Sequence, residues 1–136
     1  MPHAATLALI TAYYNAFNAG DAQAMLALLA DDVRHDINQG APEHGKPAFA
    51  AFMADMQRAY AERLTDIVII ATPDGTRAAA EYVVHGQYLT TQPGLPEASG
   101  QRYLLPGGAF FTIAQGKITR VTNYYNLEDW LTQVRS

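Results

Sequence analysis

Apolar residues in the first part of the chain recur at helical spacing. Gly20 predicts the end of a first helix, because glycine suits the left-handed position after a helix. Asp21 is a suitable N-cap for a second short helix, which we expect to close at residues 31–32. The stripe that predicts the first helix has members three and four positions apart: Leu7, Ile10, Tyr13, Tyr14 and Phe17.

A third helix is predicted to follow a short strand at 33–38 and a loop at 39–46. Pro47 is placed well for its first turn, where the missing N–H of proline costs nothing. The apolar side of this helix is expected to extend through the following positions: Phe49, Phe52, Met53, Met56, Tyr60 and Leu64.

The period changes after Leu64, and strands are predicted at 67–71, 77–91, 101–114 and 117–126. A short closing helix is expected around Trp130. Helices followed by an antiparallel meander indicate the α+β class. The 136 residues suffice for one domain, which we take to be 1–136.

Composition and charge exclude several functions. The net charge of −4 and the pI near 5.4 give no basic footprint for nucleic acid or for an anionic membrane surface. The chain has no cysteine, which excludes disulfides and thiolate chemistry. We see no signal peptide and no apolar run of membrane-spanning length, and we expect a cytoplasmic protein. No spacing typical of metal ligands occurs, so no metal is predicted.

Short motifs along nearly the whole chain resemble those of one superfamily. They are Tyr-x-x-x-x-Asn-Ala-Gly-Asp at 13–21, Ala-Asp-Asp-Val at 30–33, Ser-Gly-Gln-Arg at 99–102, Leu-Leu-Pro-Gly at 104–107, Ala-Phe-Phe at 109–111, Gly-Lys-Ile at 116–118 and Tyr-Tyr-Asn at 124–126. Their order and spacing resemble the ketosteroid isomerases and the SnoaL-like polyketide cyclases, which belong to the nuclear transport factor 2-like superfamily.

The resemblance implies a curved, antiparallel or mixed sheet wrapped around the N-terminal helices. A cone-shaped pocket between them would take an apolar small molecule, without a metal or an organic cofactor. The outer face of the sheet would pair two subunits into a homodimer. The superfamily hosts isomerases, cyclases, dehydratases, epoxide hydrolases and plain binding proteins, so the fold does not determine the reaction.

The resemblance also indicates Asp36 as a candidate general base, at the end of the first strand. Pro42 and Gly45 follow at the family's spacing, whereas the upstream match needs a one-residue deletion after residues 31–32. A carboxylate in an apolar cone is desolvated, which predicts a raised pKa. The alternative is an exposed acid at a strand end.

Two further catalytic candidates are hydrogen-bond donors. Tyr13 aligns with the tyrosine that stabilises an enolate in the isomerases, although a packing role is equally open. Asn123 replaces the acid/base aspartate of the cyclases, and an amide cannot move a proton near neutral pH. The second acid of the isomerase oxyanion hole is missing from residues 106–110, which makes steroid isomerase activity doubtful.

Strand alternation predicts which side chains line the pocket. His35 should lie on the strand face opposite Asp36, and His85 is expected to face solvent or, preferably, a partner subunit. Arg102 is expected to form a surface salt bridge, with contact to an anionic ligand group as the alternative. Glycines 107–108 suggest a bulge or a close approach of ligand. The predicted ligand-binding residues are Tyr14, Phe52, Met56, Tyr82, Val84, Phe110, Val121 and Tyr125.

Three functional hypotheses follow. The first is a cofactor-independent enzyme that moves a proton next to a carbonyl, with Asp36 as base and Tyr13 and Asn123 as donors. The second is a binding protein that kept the pocket without the chemistry. The third is a hydrolase or cyclase in which His35 and Asp36 act through a pocket water.

Overall fold

The computed structural model describes residues 2–135, in which four helices and six strands form. Helix α1 (Pro2–Asn18) ends as predicted, with Gly20 at φ +68°. Helix α2 (Ala22–Ala27) is capped by Asp21, whose carboxylate accepts a hydrogen bond of 3.0 Å from the backbone N–H of Ala24. The predicted corner between the two helices is therefore confirmed.

The second helix ends earlier than expected. Strand β1 (Leu29–Asp36) begins only two residues after α2, and Asp31 and Asp32 are exposed residues within that strand. The prediction that they close the helix is wrong. Leu29 and Val33 are buried and anchor the strand in the core, so packing overrides the local helical pattern.

The third helix is also shorter than predicted. Helix α3 (Lys46–Ala59) begins with proline in its first turn, and its backbone becomes extended at Tyr60 (φ −135°, ψ 146°). Strand β3 (Tyr60–Ala71) therefore contains Tyr60 and Leu64, which were assigned to the helix. Residues four apart share a face in a helix and also in a strand, which explains the error.

The strands form one mixed sheet in the order β2-β1-β6-β5-β4-β3. Strands β1 and β6 pair in parallel, and the other neighbours are antiparallel. The sheet is curved and does not close, which confirms the predicted α+β class. The remaining elements are β2 (Glu43–His44), β4 (Arg77–Tyr88), β5 (Arg102–Ala114), β6 (Lys117–Tyr125) and the closing helix α4 (Leu127–Val134).

The two faces of the sheet differ in their cover. The inner face packs against α1, α3 and α4, and the core lies there, around Phe111 and Val121. The outer face presents large apolar side chains to solvent: Val68, Ile70, Leu104, Phe110 and Tyr124. Within residues 2–135, no helix has both the length and the apolar character needed to cross a lipid bilayer.

Candidate functional site

Part of the inner face remains accessible to solvent. Tyr82 on β4 and Asn123 on β6 are only half-buried, although Val84 and Val121, two positions away on the same strands, are buried. Phe52 and Met56 of α3 are likewise half-buried. We call the solvent-accessible part of the inner face formed by these residues with Glu62 and Tyr125 the hollow.

Glu62 on β3 is the carboxylate of this hollow. Its backbone pairs with Gly86 on β4, which in turn pairs with Tyr103 on β5. The ring of Tyr103 lies across Gly86, where an added Cβ would be 2.1 Å from the ring Cζ. Because glycine leaves this space free, the Tyr103 hydroxyl reaches Glu62 and donates a hydrogen bond of 2.5 Å to Oε2.

The surroundings of Glu62 raise its pKa. Glu62 keeps solvent-accessible surface, but protein atoms surround its carboxyl group densely. This desolvation raises the pKa of Glu62, and the hydrogen bond from Tyr103 opposes the rise in part. Burial and then the Glu62 charge raise the pKa of Tyr82 to about 12 and also raise that of Tyr125. The phenols therefore keep their protons at neutral pH and remain hydrogen-bond donors. We call Tyr60, Tyr82, Tyr103 and Tyr125 the tyrosine cluster.

Tyr13 and Tyr14 lie deeper, where α1 meets the sheet. Tyr13 is 6% exposed and packs edge-on against Tyr14 and Phe111, with ring centroids 5.2 and 5.6 Å apart. Tyr14 contacts Tyr82 at 5.6 Å. Burial raises the pKa of both α1 tyrosines, so they too stay protonated. Their part in binding or catalysis stays a prediction.

His35 lies on the inner face, between aromatic rings of α3. It is 2% exposed, and its ring centroid lies 4.5 Å from that of Phe49 and 4.7 Å from that of Phe52. Burial lowers its pKa to about 4, with the Asp36 charge opposing, so the imidazole is neutral at pH 7. Its Nε2 lies 3.3 Å from Nδ2 of Asn123.

Asp36 lies on the other face, contrary to expectation. Its Oδ1 accepts a bond of 2.7 Å from Arg34 Nε, and its Oδ2 accepts one of 2.6 Å from the Thr122 hydroxyl. Burial would raise its pKa, but the bonds from Thr122 and Arg34 and the charges of Arg34 and Arg120 outweigh it and lower the pKa. The predicted desolvated carboxylate with a raised pKa is wrong, and the role of general base loses its structural basis.

The third hypothesis needs His35 and Asp36 to lie on one face of the sheet, and they do not. His35 pairs with Val121 and Asp36 with Thr122, so alternation directs the two side chains to opposite faces of β1. A water held by both is therefore excluded.

Phe110 is a second residue whose predicted position differs from the observed one. It pairs with Thr122, is 46% exposed on the outer face and stacks edge-on with Tyr124 at 5.8 Å. Its assignment to the pocket is wrong, because the inward position of β5 belongs to Phe111. The other predicted lining residues are on inner surfaces, where ligand binding stays a prediction: Tyr14, Phe52, Met56, Tyr82, Val84, Val121 and Tyr125.

Two open depressions lie along strands β3, β4 and β5. One of about 460 Å³ is bordered by Glu62 and Tyr103 as well as by Arg63, His85 and Arg102. The His85 Nε2 lies 2.9 Å from the Thr65 hydroxyl. The other, of about 490 Å³, is bordered by Glu81 and by the predicted close-approach glycines 107–108. Within residues 2–135, no group of three or more histidine or acidic side chains is arranged to hold a metal ion.

Glu62 was not found from the sequence. The only available signal was its position between Tyr60 and Leu64, which on a strand share its face. That signal is hidden as long as the segment is assigned to a helix.

Comparisons with known proteins agree with the fold. Residues 10–121 match the model of the SnoaL-like domain. Among curated proteins, none matches the chain. A candidate polyketide cyclase from Xanthomonas campestris is 57% identical, with 98% of this chain and 99% of that chain covered and a TM-score of 0.95.

A second candidate polyketide cyclase, from Pseudomonas putida, is 64% identical over 93% of this chain and 95% of that one, with a TM-score of 0.92. An LEH-like epoxide hydrolase from M. tuberculosis is 17% identical, with coverage of 98% and 91% and a TM-score of 0.72, and shares the fold alone. Since the domain model matches most of its length, this chain belongs to the SnoaL-like domain family.

Proposed function

We propose that this protein is an enzyme that moves a proton next to a carbonyl group of an apolar small molecule, with Glu62 as general base. One observation carries the proposal: a carboxylate with a raised pKa lies on an accessible concave surface among protonated tyrosines. Groups tuned in this way concentrate at catalytic sites. The two similar structures described as candidate polyketide cyclases support the same class, because ring closure of a polyketide requires a carbon acid to lose a proton.

The proposed reaction begins at the carbon beside the carbonyl. Glu62 takes a proton from that carbon, and the C–H electron pair becomes the C=C bond of an enolate as the carbonyl π pair moves to oxygen. In a cyclase the enolate carbon then attacks a second carbonyl, and the oxygen of that carbonyl takes the proton from Glu62. In an isomerase the enolate is conjugated with a C=C bond, and a different carbon of the dienolate takes the proton from Glu62. A raised pKa favours this role, because a base works best when its pKa approaches the working pH.

Hydrogen-bond donors would stabilise the enolate oxygen. The tyrosine cluster supplies O–H groups, and Asn123 supplies an amide N–H on the same face of the sheet. Tyr13 remains a candidate donor in the deeper part of the hollow. The walls formed by Phe52 and Met56 suit an apolar ligand, and the proposed reaction requires neither a metal nor an organic cofactor.

Exchange of carbon-bound hydrogen provides a direct test. A bicyclic ketone with a benzylic α-carbon, such as 2-tetralone, is incubated in D₂O, and loss of its α-proton signal is followed by NMR. The wild-type protein should accelerate exchange, and Glu62→Gln should reduce the acceleration by about 100-fold or more, the usual contribution of a general base. The matched control is Glu81→Gln, which alters a carboxylate on the outer face and should exchange like the wild type.

The alternative function is binding without catalysis. It is favoured by the neutral, packed state of His35 and by the amide at Asn123, neither of which supplies an acid. Saturable binding of the ketone without exchange would establish this alternative. Equal exchange by wild type and Glu62→Gln would overturn the assignment of the base.

We also propose that two copies pair through the outer face, in the cytoplasm, where a chain without cysteine is well suited. The exposed side chains of Ile70, Phe110 and Tyr124 support this pairing, since a contiguous apolar surface is typical of an interaction site. Light scattering should give the mass of a dimer for the wild type and of a monomer for Phe110→Lys. Leu89→Lys, which changes an exposed leucine beyond the end of β4, should leave the dimer intact.

A further inference from the structure

The neighbourhood of His35 contains two buried polar atoms without a hydrogen-bond partner. They are Nδ1 of His35 and Oε1 of Glu43, and they lie 3.9 Å apart. Strand β2 holds them together, because Glu43 is the register partner of His35. The backbone N–H of Gly45 donates 2.8 Å to the Val33 carbonyl and extends this attachment. A buried polar atom left alone is costly, so two of them facing each other indicate an interaction.

The contacts with Asn123 and Glu43 together indicate which imidazole nitrogen carries the proton. With the amide nitrogen Nδ2, a donor, beside the ring, Nε2 of the neutral imidazole is the acceptor. The ring proton is then on Nδ1, where it faces the Glu43 carboxylate. With the amide reversed, Nε2 would carry the proton, and the lone pair of Nδ1 would face a carboxylate. That arrangement is repulsive.

The packing leaves the ring no freedom to change partners. Phe49 packs against it at an interplanar angle of 36° and Phe52 edge-on at 81°, and His35 is 2% exposed. Asn123 lies on the other side of Nε2 and is half-buried at the edge of the hollow. The orientation of the His35 ring therefore fixes the orientation of the Asn123 amide.

We propose that Glu43, His35 and Asn123 form a positioning relay, in which Glu43 keeps the His35 proton on Nδ1 and His35 accepts one N–H of Asn123. The second N–H and the carbonyl oxygen of the amide then face the hollow. That N–H is a fixed donor for the oxygen of a ligand carbonyl or enolate. The relay rests on the proposed function only for this last step. Glu43 and His35 are positioning residues, not catalytic ones.

Protonation of His35 would break the relay, because Nε2 would become a donor facing the donor Asn123. The charged groups near the ring are the carboxylates of Glu43 and Asp36, which favour the protonated imidazole. Burial favours the neutral imidazole and is the larger effect. The neutral ring is therefore the working state at neutral pH.

The ¹⁵N spectrum of histidine-labelled protein tests the relay without any substrate. We expect His35 to show a protonated Nδ1 and an unprotonated Nε2. Glu43→Ala should move His35 toward a mixture of tautomers. The matched control is His44→Ala, which changes the exposed neighbour on the same short strand and should leave the His35 signals in place.

A protonated Nε2 in the wild type, or unchanged His35 signals in Glu43→Ala, would overturn the relay. Ketone exchange adds a functional measurement. His35→Phe should lower kcat roughly 5- to 10-fold with little change in KM, the effect of misorienting one donor. His35→Gln, whose amide oxygen can still accept from Asn123, should restore much of this loss. If the spectra behave as expected and no exchange occurs, the relay stands and the proposed function fails.

Discussion

Two carboxylates on opposite faces of the sheet have pKa values shifted in opposite directions. Burial pushes the pKa of both Glu62 and Asp36 upward. Asp36, on the outer face, receives hydrogen bonds from a guanidinium and a threonine, and its pKa falls below the ordinary value. Glu62, on the inner face, has the neutral phenol of Tyr103 as its one hydrogen-bond donor among residues 2–135, and its pKa stays raised. Protein atoms surround Glu62 more densely than Asp36, and Glu62 has no cationic partner, so both differences favour Glu62 as the base.

The largest expected difference between the two faces is in how the free energy of unfolding depends on pH. On the inner face, burial depresses the pKa of His35 from 6.5 to about 4, so below pH 6.5 the unfolded chain binds a proton that the folded chain refuses. The stability due to the neutral ring is complete above pH 6.5 and is lost as the pH falls toward 4, by about 3 kcal/mol.

Urea unfolding between pH 7 and 4 measures this loss, which His35→Phe should remove. His85→Phe, on the outer face, is the control and should keep the slope of the wild type. An unchanged slope in His35→Phe would contradict the assignment.

A methyl group added to each face should give unequal costs. Gly86→Ala on the inner face would place Cβ 2.1 Å from the Tyr103 ring, which is held against Trp130 and Tyr60. We expect a loss of about 2 kcal/mol and displacement of Tyr103 from Glu62.

Gly108→Ala, on the outer face, brings Cβ to 3.2 Å from a backbone oxygen and should cost about 1 kcal/mol or less. Thermal unfolding of both variants gives the comparison. Equal costs would show that the inner face has room for the ring to move.

Neutralising the outer carboxylate should destabilise the fold. Asp36→Asn weakens the bonds from Arg34 and Thr122, and we expect a loss of about 1 kcal/mol at pH 7. A lowered pKa gives stability that is present above the ordinary carboxyl pKa and is lost as the pH falls through the native one. The difference between variant and wild type should therefore shrink in acid. A constant difference would argue against an ionic cause.

Neutralising the inner carboxylate should have the smallest effect and the opposite sign. A raised pKa means that ionised Glu62 works against folding as the pH rises through its native pKa. Glu62→Gln should therefore raise the Tm slightly at pH 7 and not in acid. Glu81→Gln serves again as the control. A lower Tm in Glu62→Gln would place Glu62 among the groups that hold the fold together.

Much of the fold could be predicted because several elements have a single consistent pattern. The helix ending before Gly20 and the alternation in β6 both follow from local spacing, so Asn123 and Tyr125 were assigned to the correct face. The site was harder. The spacing of Met56, Tyr60 and Leu64 fits a helix and hides a strand, and Glu62 was lost with it.

The misassignment of Asp36 has a different physical cause. The pairing of β1 with β6 is irregular between Leu29 and Arg34. The match to the isomerases required a one-residue deletion in the same segment. A shift of one residue in a strand moves every later side chain to the opposite face, which here turns His35 inward and Asp36 outward. Sequence spacing alone does not reveal such a shift.

The two-residue strand β2 has a consequence for how this family diversifies. It borders an irregular segment, where insertions and exchanges are tolerated better than in the central strands. In the proposed relay, the residue that sets the histidine tautomer therefore lies on this short edge strand, whereas Glu62 lies on the twelve-residue strand β3. Exchanging β2 and the residues before it with those of a relative would change the hydrogen bond offered to the ligand carbonyl and leave Glu62 in place.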